Sequence, residues 1–239
     1  MQGPEATIDP IAPDIWRISI PLPPEVFPGG FSFNQYLVVD EKPLIFHTGP
    51  KKLFPVVRAQ IEKVMPVAKL RYVAFSHYEA DECGSLPEFL AAAPQTGRAC
   101  GAVGANVSIS DVVDVEPIGM EDGQVLDLGR HRLVWQSTPH LPHGWECGFM
   151  FDETSGTLFC GDLFTQPGSQ GPALTESDIL GPSEGFRHVM DYYAHSTNTR
   201  ALIDKLAAAN PTAMACMHGS AWRGDGAQLL RALADSLHA

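Results

Sequence analysis

The sequence predicts an α/β fold, a sandwich of two mixed β-sheets flanked by helices, and three observations carry that prediction. Short β-type runs alternate with helical patterns along the chain. The second half repeats the rhythm of the first with no linker between them, so residues 1–239 are expected to form a single domain. Polar clusters stand where several apolar strands end.

Taken in order, residues 15–20, 36–39 and 44–46 read as strands, the last two joined as a hairpin through Asp40-Glu41-Lys42-Pro43. A helix is expected over 53–65, where Val56, Val57, Gln60, Ile61 and Val64 fall at helical spacing. The apolar run Tyr72-Val73-Ala74-Phe75 makes 71–76 a strand covered on both faces, and a helix is expected to begin near Ser85. Residues 131–136, 148–151 and 157–160 read as strands, with a turn over 152–156. The stretch 165–185 is rich in Gly, Pro and Ser and reads as a long connection of the kind that usually carries function. Helices are expected over 183–193 and 198–209, then a strand over 212–216 and a last helix over 225–237.

Composition narrows the function classes. A chain of 239 residues with 44% hydrophobic and 18% charged residues suits a soluble globular enzyme with a substantial core. The net charge of -12, without any Lys/Arg run, argues against a nucleic acid partner. Met1-Gln2-Gly3-Pro4-Glu5 does not open a leader, and no stretch approaches the roughly 18 apolar residues of a membrane span, so a cytoplasmic protein without a membrane partner is expected. Cys83, Cys100, Cys147, Cys160 and Cys216 are odd in number and contain no Cys-x-x-Cys pair; they read as small buried apolar residues.

The densest chemical signal is Ser76-His77-Tyr78-Glu79-Ala80-Asp81-Glu82-Cys83-Gly84-Ser85. His77, Glu79 and Asp81 stand at i, i+2, i+4, a spacing at which a segment leaving a strand can turn alternate side chains inward. With Glu82 alongside, three acids repel one another unless protons or cations compensate them. A pair of divalent metals would do so; the plainer alternative is a solvated acidic turn capping the next helix. Three further segments carry the same kind of residue: Thr138-Pro139-His140-Leu141-Pro142-His143-Gly144, Phe159-Cys160-Gly161-Asp162 and Ala215-Cys216-Met217-His218-Gly219. The glycines beside Asp162 and His218 permit close backbone approach. Each segment alone reads as a turn or cap, and together they are expected to converge.

With these motifs in hand, the sequence resembles the metallo-β-lactamase superfamily, whose pattern is H-x-H-x-D-H followed by His, Asp and His. It is most similar to the diiron branch, the flavodiiron and oxygen-binding diiron proteins, where Glu replaces the second histidine, as in His77-x-Glu79-x-Asp81. The hairpin around Tyr36-Leu37-Val38 and Leu44-Ile45-Phe46-His47-Thr48-Gly49, the Tyr192-Tyr193-Ala194 triplet and His218-Gly219-Ser220-Ala221-Trp222-Arg223 extend the likeness over about 34–223. The fold so implied is the αββα sandwich. The resemblance implies that His77, Glu79 and a middle histidine hold one metal, Asp81 and His218 the other, with Asp162 bridging. Both His140 and His143 fit the middle position; His143, 19 residues before Asp162 rather than 22, suits the family better, which leaves His140 beside the site or facing substrate. Two residues depart from the pattern: Glu82 stands where the family usually has His, as a further metal ligand or a catalytic carboxylate, and His47 stands where Asp is common and reads as a buried, hydrogen-bonded histidine.

The candidate ligands number three histidines and four carboxylates, a hard donor set that favours two iron ions, with two zinc or manganese ions as alternatives. The expected function is O2-dependent redox chemistry or O2 binding by a non-haem diiron centre, an oxidoreductase. A dinuclear zinc hydrolase of esters, thioesters, lactones or phosphoesters is the alternative, with Asp81 orienting a hydroxide and Glu82 tuning it. The chain ends some 20 residues past His218 and has no Gly-rich loop for FMN, so electrons are expected from a separate donor protein. The substrate is O2 or another small molecule, and a homodimer is compatible with this reading. The stretches 21–33 and 165–181 are candidates to wall a pocket above the metals.

Overall fold

Two seven-stranded sheets face each other in the computed structural model, which describes residues 5–237. Residues 1–4 of the N-terminal segment read above, and His238, lie outside the described residues. The first sheet runs in chain order through β1 (Thr7–Ala12), β2 (Ile15–Leu22), β3 (Phe31–Val38), β4 (Leu44–Phe46), β5 (Tyr72–Ala74), β6 (Gly97–Gly101) and β7 (Ile118–Met120). Its pairings are antiparallel up to β4 and parallel beyond it. The second sheet contains β8 (Val125–Asp127), β9 (Arg132–Ser137), β10 (Gly148–Asp152), β11 (Thr157–Phe159), β12 (Leu174–Thr175), β13 (Ala213–Ala215) and β14 (Ala221–Arg223). Its spatial order is β12-β14-β13-β11-β10-β9-β8, again an antiparallel meander that turns parallel where β11 meets β13.

The layers follow from where apolar residues fall. Tyr36, Phe46, Trp135, Met150 and Phe159 point between the sheets and are buried there together. On the outer face of the first sheet, Leu37, Ile45 and Val73 pack against α1 (Phe54–Ile61) and α3 (Leu86–Ala92) through Val57, Ile61 and Phe89. On the outer face of the second, Phe149, Leu158 and Met214 pack against α7 (Thr199–Ala208) and α8 (Gly226–Ser236) through Ile203, Leu206, Leu230 and Leu233. Each such fully buried side chain contributes about 1.5–3 kcal/mol. This is the expected sandwich of two mixed sheets flanked by helices.

Several boundaries differ from the sequence reading, for identifiable reasons. The first helix stops at Ile61 rather than 65, because Pro66 disfavours helical geometry at Met65 and the chain tightens through Val64 N to Ile61 O. β3 begins at Phe31 rather than 36, its Phe33 and Phe31 paired with Ile20 and Leu22 of β2, so only 23–30 is loop. α6 (Leu180–Met190) starts three residues early, where Asp178 Oδ1 accepts from Leu180 N at 2.9 Å. It ends at Asp191, whose left-handed backbone swings Tyr192 and Tyr193 out of the helix. β1, β6, β7, β8, β12 and β14 were not expected, nor was the helical segment of α4 (Ala102–Gly104), the π-helical stretch Ala105–Ile109 and α5 (Ser110–Val112). Among the described residues no helix is long and apolar enough to cross a membrane, and all five cysteines are free and buried.

Candidate metal centre

The site is assembled from both sheets at one rim. The chain leaves β5 through Phe75, bends over Ser76–Tyr78, is extended at Glu79 (φ -141°, ψ 162°) and turns into α2 (Ala80–Cys83). His77 and Glu79 reach one cluster across this bend, while Asp81 and Glu82 sit on the helical turn. Consecutive residues of an extended chain face opposite ways, whereas on a helical turn they lie about 100° apart. Asp81 and Glu82 consequently reach the same cluster as His218. The turn is anchored to the first sheet's hairpin, Thr48 N donating to Glu82 O at 2.7 Å and Ser85 N to Gly49 O at 3.0 Å.

The second sheet supplies His143 from the loop after β9, Asp162 after β11 and His218 after β13. Gly161 (φ +49°) carries no Cβ that would sit 3.0 Å from Ser76 Oγ, which lets the Asp162 turn lie against the His77 segment. The His218 turn is stitched across the sandwich: Asn34 Nδ2 donates to the carbonyls of Cys216 at 2.9 Å and Gly219 at 2.7 Å, and Arg17 Nη2 donates to Gly219 O at 2.6 Å.

These residues form two clusters that meet at Asp162. In the first, Glu79 Oε2 lies 3.0 Å from His77 Nε2 and 3.1 Å from His143 Nε2, and Asp162 Oδ2 lies 3.6 Å and 3.4 Å from the same two nitrogens. In the second, His218 Nε2 lies 3.5 Å from Asp81 Oδ2 and 3.2 Å from the other Asp162 oxygen, Oδ1. Donor atoms of His77, Glu79, His143 and Asp162 fall within 4.8 Å of one another, as do those of Asp81, Glu82 and His218. Asp162 thus turns one oxygen to each group. His140 is not part of this arrangement: it is exposed, with its backbone N donating to Gly144 O at 2.8 Å, while the chain brings His143 inward.

The charges are balanced unevenly. Hydrogen bonds from His143 and His77 bring the Glu79 carboxyl down to about 2. Burial would raise Asp162, yet the hydrogen bond from His218 and the nearby His77 and His143 hold it below the usual carboxylate range. Glu82 is pushed well up, first by burial and then by the charges of Asp162 and Asp81, and Asp81 is raised by burial as well. Both Glu82 oxygens are buried and without a hydrogen-bond partner. An unpaired buried carboxylate is among the costliest groups a fold can hold, and a cation beside it removes the cost. The donor set therefore fits a pair of metal ions.

Contacts behind the cluster orient the imidazoles. His218 Nδ1–H donates to Ser32 O at 2.8 Å, leaving Nε2 free to face Asp162. His77 Nδ1 lies 3.0 Å from Ser76 Oγ, which lies 3.0 Å from His47 Nε2; His47 Nδ1 in turn meets Met217 Sδ at 3.0 Å. His47 is fully enclosed, and burial lowers its pKa to about 3, so it is neutral. Of the other histidines, His131 pairs with Asp152 at 2.8 Å and His195 with Asp191 at 2.7 Å, both away from the site.

A cavity of about 190 Å³ opens above the clusters. Its roof is aromatic: Phe31 stacks on His218 at 4.3 Å, and Phe27 and Phe186 stack on Phe31 at 4.8 and 5.6 Å. Tyr192 closes one side, donating its hydroxyl to Asp162 O at 3.1 Å. The stretch 21–33 contributes Phe27 and Phe31, but the stretch 165–181 contributes only Thr165. Phe186 and Met190 of α6 were missed, although their i, i+4 spacing was a readable signal.

Comparison with known proteins decides the family. The family model described as ODP family beta lactamase matches residues 31–219. The chain belongs to this family. The ODP-family chain is 26% identical over 211 residues to the anaerobic nitric oxide reductase flavorubredoxin of Pectobacterium atrosepticum, covering 84% of this chain and 41% of that protein. It is 25% identical to the nitric oxide reductase of Moorella thermoacetica, covering 86% of this chain and 53% of the relative. It thus spans about half or less of these curated relatives. Among solved structures it is similar in fold to a fragment of a putative diflavin flavoprotein of Nostoc sp. PCC 7120 (TM-score 0.85, 19% identity, 99% of this chain and 97% of that one). The rubredoxin oxygen:oxidoreductase of Desulfovibrio gigas is another (TM-score 0.80, 20% identity, 97% and 60%). The likeness to the diiron branch of the metallo-β-lactamase superfamily, read from the motifs, is thereby shown.

Proposed function

We propose that this chain is a single metal-binding domain holding two non-haem iron ions, and that it is an oxidoreductase acting on a small diatomic molecule, O2 first and nitric oxide as the related substrate. His77, Glu79 and His143 would hold one ion, Asp81, Glu82 and His218 the other, and Asp162 would serve both. The observation that carries this reading is Asp162 turning one oxygen to each cluster, next to a Glu82 carboxylate with no partner. When held by these residues, a ferrous pair would supply the electrons for reducing a diatomic substrate. The chain's own residues do the rest: Phe27, Phe31 and Phe186 keep bulk water and large substrates from the cavity, and Tyr192 fixes the backbone of Asp162. Hard carboxylate donors outnumber imidazoles, which favours iron over zinc. His140 takes no part. Electrons come from a separate donor protein, a reading supported by the flavorubredoxin and rubredoxin:oxygen oxidoreductase names of relatives. The setting is cytoplasmic.

Anaerobic purification with metal quantitation, followed by spectra before and after O2 or nitric oxide and by turnover with a chemical reductant, tests this. The expected result is two irons per chain and consumption of the gas. A colourless protein with two zincs that cleaves esters would replace the reading with hydrolysis, and an iron protein that binds O2 without turnover would make it a sensor.

A further inference from the structure

We propose that Glu82 makes the half of the centre formed with Asp81 and His218 discriminate less against manganese(II), relative to iron(II), than the half formed by His77, Glu79 and His143. This rests on the dinuclear reading above and adds the rule by which the metals are chosen.

The halves are chemically unequal. The first offers two imidazoles and the Glu79 carboxylate; the second offers one imidazole and the carboxylates of Asp81 and Glu82, with Asp162 presenting an oxygen to each. Imidazole nitrogen favours iron over manganese, and replacing nitrogen by carboxylate oxygen narrows that preference. The half that lost an imidazole in favour of Glu82 is therefore the one that discriminates least against manganese. Burial strengthens the argument. Glu82 is 0% exposed and neither of its oxygens accepts a hydrogen bond, whereas Glu79 is about half exposed and has two histidines at hydrogen-bond distance. The protein spends no donor on Glu82, so its full oxygen basicity is left for a cation, and α2 holds it on the same side as Asp81.

The test uses the full chain, stripped with a chelator and reloaded without oxygen with one equivalent each of manganese(II) and iron(II). Total metal is quantified, and anomalous diffraction at the manganese and iron edges reads each position separately. The expected manganese-to-iron ratio in the Glu82 half exceeds that in the His143 half by at least about threefold. In Glu82→His the difference falls below about twofold, because an imidazole restores the preference for iron. Glu82→Gln, which keeps the shape of the side chain and removes its charge, is expected to lower the manganese share of that half too. Equal ratios in both halves of the unaltered protein, or a preference that survives Glu82→His and Glu82→Gln, overturn the inference and leave the dinuclear reading standing. Absence of metal from these residues overturns both.

Discussion

Glu79 and Glu82 stand three residues apart, yet Glu79 is about half exposed with two histidines at hydrogen-bond distance, while Glu82 is fully buried and accepts no hydrogen bond. The contrast separates two ways of holding a carboxylate. Glu79 keeps its charge with the help of neighbouring imidazoles, so its half of the centre is assembled by ion pairs alone. Glu82 has no such help, and its half is incomplete until a cation arrives or a proton takes its place.

The largest expected effect tests what the halves share. Asp162→Ala should weaken uptake of both ions by more than about 100-fold, read as metal content after dialysis. Retention of one tightly held ion would mean that the halves are independent. A smaller effect separates the glutamates. Glu82→Met should stabilise the metal-free protein by about 1–3 kcal/mol, because an apolar side chain of similar length replaces an unpaired buried acid. Glu79→Gln should shift it by less than about 1 kcal/mol, as expected for a solvent-screened position. Urea unfolding of the stripped variants reads both, and equal shifts would erase the distinction.

A third effect lies away from the site, where the buried His131–Asp152 pair is satisfied by protein groups. The hydrogen bond to Asp152 raises the pKa of His131, while Asp152 is lowered: burial opposes, and the hydrogen bonds from His131 and Ser155 prevail. The His131 contribution is complete below about pH 6.5 and is lost as pH rises through its raised value; that of Asp152 is complete above about pH 3.8 and is lost as pH falls through its lowered value. His131→Asn should flatten the alkaline limb of stability against pH, by about 1 kcal/mol, with metal present or absent. A limb that responds to metal would tie this pair to the centre.

The sandwich and most of the cluster were readable because apolar runs ended in His or Asp beside glycine, as at Phe159-Cys160-Gly161-Asp162 and Met217-His218-Gly219. Strands outside a continuous apolar run left no such trace. β7 and β8 have three residues each, too few for alternation to show, and β6 reads Gly-Arg-Ala-Cys-Gly, where small residues hide the pattern. The four-residue α2 is invisible to periodicity, and it is what brings Asp81 and Glu82 onto one side. The choice between His140 and His143 rested on family spacing; the geometry that separates them is the turn closed by His140 N to Gly144 O.

The donors come from opposite leaves of the sandwich, His77 to Glu82 from beyond β5, and Asp162 and His218 from beyond β11 and β13. A bound pair of ions would act as a rivet through the rim, joining leaves that otherwise meet there through hydrogen bonds such as those of Asn34 and Arg17 to the His218 turn. At about a hundredfold excess over the dissociation constant, one such ion adds about 2.7 kcal/mol against unfolding. Loading the centre and tightening the joint between the leaves would then be a single event.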